Sequence, residues 1–167
     1  MRAFALCIAL AAALAAAGCA SYDGRGPVPG QSTAREVEAL MGPPAERLTL
    51  AGGDRVWFYP RQPFGVQVYA VRLSAEGLVR AVEARLTEEN VARLVPGTST
   101  KKDVRELLGP PWETGFLPRQ QREVWGYKME NAARAMHDLY VQFSADGVVR
   151  EVLMVRDVRN EVGGDRS

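Results

Sequence analysis

The stretch Val95-Pro-Gly-Thr-Ser-Thr-Lys-Lys-Asp-Val-Arg-Glu-Leu-Leu-Gly-Pro-Pro111 stands again, nearly letter for letter, as Val28-Pro-Gly-Gln-Ser-Thr-Ala-Arg-Glu-Val-Glu-Ala-Leu-Met-Gly-Pro-Pro44. In both, a hydroxyl residue (Thr33, Thr100) precedes a carboxylate (Glu36, Asp103) by three positions. Side chain and backbone at that spacing satisfy each other's free groups in a capping box, so a helix starts there. Val37, Leu40 and Met41, like Val104, Leu107 and Leu108, then recur at helical spacing and share one face. Gly42 and Gly109 come next, suited to a left-handed position after the helix, and the Pro pairs behind them cannot prolong it.

The chain beyond each helix repeats as well. Val56-Trp-Phe-Tyr59 is a strand signal, stopped by Pro60 and Pro63. An alternating run from Val66 to Leu73 comes next, then a turn at Glu76-Gly77 and a third run, Leu78 to Val82. The second copy answers with Val124-Trp-Gly-Tyr127, Leu139 to Phe143, a turn at Asp146-Gly147 and Val148 to Val152. The distance between equivalent residues grows slightly along the chain, which places the extra residues in loops, where insertions cost least. Thr87-Glu-Glu-Asn-Val91-Ala-Arg-Leu94-Val95 adds a short capped helix before the second copy, with Val91, Leu94 and Val95 on one face. The expectation is an α+β chain of two tandem units, each a short helix (two in the second) followed by a three-stranded antiparallel sheet. Sheets this small are marginal alone. The units should therefore pack together, burying the helix faces with Val71, Leu73, Val141 and Phe143.

The chain of 167 residues begins with Arg2 and an unbroken apolar run, Ala3 to Ala17. That run is shorter than the ~20 residues a membrane-spanning helix needs and reads as a signal peptide. Its end, Leu14-Ala-Ala-Ala-Gly18-Cys19-Ala-Ser, resembles a bacterial lipobox, which implies cleavage after Gly18 and acylation, palmitate included, at Cys19. Ala20 in place of Asp implies sorting to the outer membrane. Loss of residues 1–18 removes Arg2, one of 21 basic residues, and leaves them equal in number to the 20 acidic ones. A neutral chain without a basic run has no electrostatic footprint for nucleic acid. Cys7 goes with the signal, so Cys19 has no disulfide partner. The eight residues Ala20 to Pro27 form a tether reaching at most ~28 Å. The expected organisation is a signal peptide over 1–18, a lipidated tether over 19–27, units over 28–85 and 86–159, and a flexible tail over 160–167.

The sequence of features (helix, Leu-Gly-Pro-Pro at its end, Trp-x-Tyr, an alternating strand and an Asp-Gly turn) resembles the SmpA/OmlA (BamE-like) domain family of outer-membrane lipoproteins. Leu86 to Val155 resembles it throughout, and Val28 to Val82 resembles it without the first helix. The resemblance implies an ααβββ fold and a non-catalytic scaffold at the periplasmic face of the outer membrane. Its implied partners are the β-barrel assembly machinery, together with outer-membrane lipid through acylated Cys19.

Little in the chain suggests chemistry. His137 is the one histidine, adjacent to Asp138, and reads as a loop residue before a strand, since no second His could complete a metal site and no nucleophile motif accompanies it. Gly52-Gly53 lacks the Lys-Ser/Thr of a phosphate loop. No enzyme activity and no cofactor are expected. Gly115 to Glu123 reads as an exposed polar loop. Its Arg119 and Arg122, with the aromatic residues Trp57, Tyr59, Trp125 and Tyr127, are the candidate interaction surface, the aromatics being equally suited to the core. The alternative function is an inhibitor-like binding module that grips a periplasmic enzyme.

Overall fold

The structure, a computed structural model, describes residues 26–157. The expected signal peptide, Cys19, most of the tether and the expected tail at 160–167 lie outside the described residues. Helix α1 (Ala34–Met41) leads into strands β1 (Glu46–Thr49), β2 (Arg55–Pro60), β3 (Val68–Leu73) and β4 (Val79–Ala84). Helices α2 (Glu88–Ala92) and α3 (Lys101–Leu108) then lead into β5 (Glu113–Leu117), β6 (Arg122–Glu130), β7 (Met136–Phe143) and β8 (Val149–Arg156). Each set of strands forms one antiparallel sheet in sequence order. The class is α+β, but the sheets have four strands where three were expected.

The unexpected strands are β1 and β5, the first edge of each sheet. Each has one partner only, and neither contains a fully buried residue. An edge strand of this kind puts too few apolar residues against the core to alternate, Leu48 alone in β1, which is why its sequence reads as a loop. The stretch expected as a loop from Gly115 to Glu123 is instead a hairpin, with only residues 118–121 between β5 and β6.

The repeated Val-Pro-Gly-x-Ser-Thr segment has a structural purpose. Ser32 Oγ accepts from Val28 N at 2.9 Å, and Ser99 Oγ from Val95 N at 2.9 Å. The backbone then pairs with the last hairpin of its own sheet. Gly30 N donates to Val79 O and Val79 N to Ser32 O, both at 2.8 Å; Gly97 and Val149 repeat this with Ser99. Thr33 and Thr100 complete the capping boxes of α1 and α3, with their N–H groups 2.7 Å from Glu36 and Asp103. The segment thus fixes each helix start to the far edge of the sheet it covers.

Gly42 and Gly109 end the helices with φ of +80° and ψ of −175° and −167°. This is not the left-handed helical conformation expected from the sequence. It is the extended mirror region open essentially to Gly alone, and it turns the chain straight out into the Pro pair.

Strand alternation and register show how the layers stack. On β2 and β3, Trp57, Tyr59, Val71 and Leu73 face α1 and meet Val37 and Met41. Val56, Phe58, Val68 and Ala70 belong to the other face and share a core with Leu86, Leu94, Val104 and Leu108 and with Trp125, Tyr127, Val141 and Phe143 of the second sheet. The order is therefore helix, sheet, helix pair, sheet. The first sheet is buried on both faces and the second on one. Leu107 is partly buried against this shared core, whereas Leu40, its counterpart on α1, is 45% exposed because among the described residues no sheet lies in front of α1. Val95 is also exposed, since α2 ends at Ala92 and the chain has turned away before reaching it.

Candidate interaction surfaces

The six residues expected at an interaction surface do not come together. Trp57 and Tyr59 lie in the core beneath α1, Trp125 and Tyr127 in the core beneath α3, all under 9% exposed. An exposed patch cannot contain them; their large rings are covered by the helices packed on them. Tyr127 donates its hydroxyl hydrogen to Gly109 O at 3.1 Å, tying β6 to the end of α3. Burial pushes its pKa far up. Tyr59 occupies the matching place, and burial, with Glu38 nearby, pushes it up to about 12, yet its hydroxyl has no partner among the described residues. Each Trp also carries a guanidinium 5.0 Å from its ring, Arg47 over Trp57 and Arg105 over Trp125.

Arg119 lies exposed in the turn between β5 and β6. Arg122 begins β6 and donates to Gln142 at 3.0 Å and to Glu151 at 3.1 Å, so its charge is already neutralised within the sheet. His137 is in β7, opposite Met129 and Arg156, with Nδ1 2.9 Å from Ala135 O; it is a strand residue, not the loop residue expected. Cys19 lies outside the described residues.

Two concave surfaces were not legible as sites in the sequence. The first, about 680 Å³, lies between the first sheet and the helix pair and is lined by Arg72, Arg85 and Arg93 with Glu83, Asp103 and Glu106. Arg85 pairs with Glu83 at 2.9 Å. Burial holds the Arg85 pKa below its ordinary value, opposed by Glu83 and reinforced by Arg72 and Arg93. The lining is balanced in charge, which suits a structural cleft better than an anion site. Asp103, moreover, is committed to the α3 cap.

The second surface is a groove of about 400 Å³ on the uncovered face of the second sheet, where Val124, Gly126, Tyr140 and Leu153 are flanked by Glu113 and Leu117. Register places Gly126 beside Tyr140 and Tyr140 beside Leu153 on that face. The sequence carries a faint signal for it. Val56-Trp-Phe-Tyr59 is apolar at every position, as a strand buried on both faces must be, whereas Val124-Trp-Gly-Tyr127 breaks that run at Gly126.

Two four-stranded sheets, the first covered by helices on both faces and the second on one, define an α+β protein with, among the described residues, a single uncovered sheet face and with Trp57, Tyr59, Trp125 and Tyr127 spent on internal packing. Residues 85–152, spanning α2, α3, β5 to β7 and the first half of β8, match the family model described as the outer membrane protein assembly factor BamE domain. The first sheet lies outside the matched span. No curated protein matches the chain. The solved structure of a DUF4309 family protein (YjgB) from Bacillus subtilis subsp. subtilis str. 168 aligns over 83% of this chain and 88% of its own, at 18% identity and a TM-score of 0.31, a likeness too low to carry an argument.

Proposed function

We propose that this chain is a membrane-anchored, non-catalytic periplasmic lipoprotein that acts as an interaction scaffold in outer-membrane β-barrel protein assembly. The observation that carries this reading is the match of residues 85–152 to the BamE assembly-factor domain. In this proposal the first unit, residues 28–85, is a second BamE-like copy, and acylated Cys19 holds both units within reach of the membrane face.

Support for a scaffold comes from where the side chains go. The four candidate aromatics, Trp57, Tyr59, Trp125 and Tyr127, are interior, and His137 Nδ1 lies against the carbonyl of Ala135 next to its strand. The outward-facing remainder is surface for docking. The test has two parts. Deletion is expected to deplete barrel proteins from the outer membrane, with the chain copurifying with barrel-assembly subunits in mild detergent. Cys19→Ser is expected to move the protein from the membrane to the soluble periplasmic fraction. Copurification with a periplasmic enzyme instead would support the inhibitor-like alternative and overturn barrel assembly.

A further inference from the structure

The two sheets present equivalent faces in unequal states, and the difference shows what the uncovered one is built to receive. On the first sheet the face bearing Phe58 and Ala70 is covered by α3. The helix end comes so close that a Cβ at Gly109 would lie 2.6 Å from Val68 Cγ1 and 3.0 Å from Phe58 Cδ1. Glu46, opposite Phe58 on the edge strand, holds the incoming helix by an ion pair with Arg105 Nε at 3.2 Å. One apolar ridge, one small residue at the helix end and one cation a turn before it therefore meet one acid on the sheet.

The second sheet repeats the receiving half of this arrangement, and among the described residues no helix is seated on it. Gly126 and Tyr140 stand side by side where Phe58 and Ala70 do, again one aromatic and one small residue on neighbouring strands. Glu113 stands opposite Gly126 as Glu46 does opposite Phe58, and its side-chain stem lies across Gly126, 2.7 Å from where a Cβ would be. The other charges of this face are spoken for. Lys128 pairs with Asp138 at 2.6 Å and Asp157 at 3.6 Å, and Arg122 with Glu151 at 3.1 Å. Glu113 alone on this face has no ion-pair partner among the described residues.

We infer that the groove over Gly126, Tyr140 and Leu153 is a docking site for a short amphipathic helix of another protein, one that carries Arg or Lys about a turn before its end, closes with Gly or another small residue, and pairs its cation with Glu113. A second copy of this chain is the disfavoured occupant. Its α1 would offer Leu40 and Gly42 correctly, but the position matching Arg105 is Glu38, which would set carboxylate against carboxylate. Helix-in-groove recognition of this kind draws affinity from the apolar ridge and register from the charge. The inference deepens the scaffold reading and rests on it.

The test is photocrosslinking of the full chain in intact membranes, with p-benzoylphenylalanine in place of Leu153, and mass spectrometry of the adducts. The expected result is an adduct to a different protein, at a peptide with Arg or Lys in the last turn of a helix. Glu113→Arg should lower adduct yield tenfold or more and Glu113→Gln by a smaller factor, both variants keeping the wild-type circular dichroism spectrum. Adducts only to a second copy, only to lipid, or none at all would overturn the inference, as would a yield indifferent to Glu113→Arg. The partner's identity separates the two readings. A periplasmic enzyme in the groove keeps the docking site and ends the barrel-assembly setting, while depletion of barrel proteins on deletion without any Leu153 adduct does the reverse.

Discussion

Gly42 and Gly109 share a backbone conformation and differ in surroundings, which separates two effects that usually arrive together. At Gly42 a Cβ meets nothing within 4 Å, so Gly42→Ala suffers only the backbone strain of the mirror region, about 1–3 kcal/mol. At Gly109 the same strain is joined by collision with Val68 and Phe58, and overpacking of a filled core adds about 1–3 kcal/mol. Urea denaturation of the two variants should rank Gly109→Ala below Gly42→Ala by that margin; equal losses would show that the two layers do not press on Gly109. The tyrosines give a second matched pair. Tyr127→Phe leaves the Gly109 carbonyl without its donor and should cost about 1–3 kcal/mol, whereas Tyr59→Phe, which breaks no bond among the described residues, should be close to neutral in the same measurement.

Among the elements, the helices are held by their caps. Thr100→Ala removes the acceptor for Asp103 N and should cost about 1 kcal/mol in thermal or urea unfolding. The caps also set an acid sensitivity. Hydrogen bonds from the Thr33 and Thr100 backbones, then from their side chains, hold Glu36 and Asp103 below their ordinary values of 4.5 and 3.8. Carboxylates depressed in the folded state contribute stability that is complete above those values and is lost as pH falls through the lower folded ones. A Glu36→Gln/Asp103→Asn variant should therefore be less stable than wild type near neutrality and converge with it in acid, read as unfolding free energy against pH. Helices with such caps are legible in sequence, as are the strands whose alternation marks a buried face. Strands β1 and β5 were not, because edge position leaves Glu46-Arg-Leu-Thr49 and Glu113-Thr-Gly-Phe-Leu117 without that mark. The candidate site suffered from the same ambiguity in reverse: Trp57, Tyr59, Trp125 and Tyr127 have the chemistry of a binding surface and of a core alike, and only the helix that covers each of them decides.

At the scale of the molecule, the layers make the halves depend on each other. Phe58 is fully buried in a core drawn from both sheets, so Phe58→Ala should cost about 3–5 kcal/mol. The loss should not stay local. Hydrogen exchange is expected to quicken together in β3 and β7; faster exchange confined to β3 would mean that the sheets are stabilised independently.

The burial of the first sheet on both faces also imposes an order on the life of the polypeptide. Phe58 and Val68 are synthesised well before Gly109 and the helix that covers them. A nascent chain, or one cut short by a premature stop, therefore carries a bare greasy sheet that its own sequence has not yet supplied the means to hide. Truncation products ending between Ala84 and Leu108 should be the most dependent on chaperones and the first to be cleared by proteases, more so than fragments missing only the far edge of the second sheet.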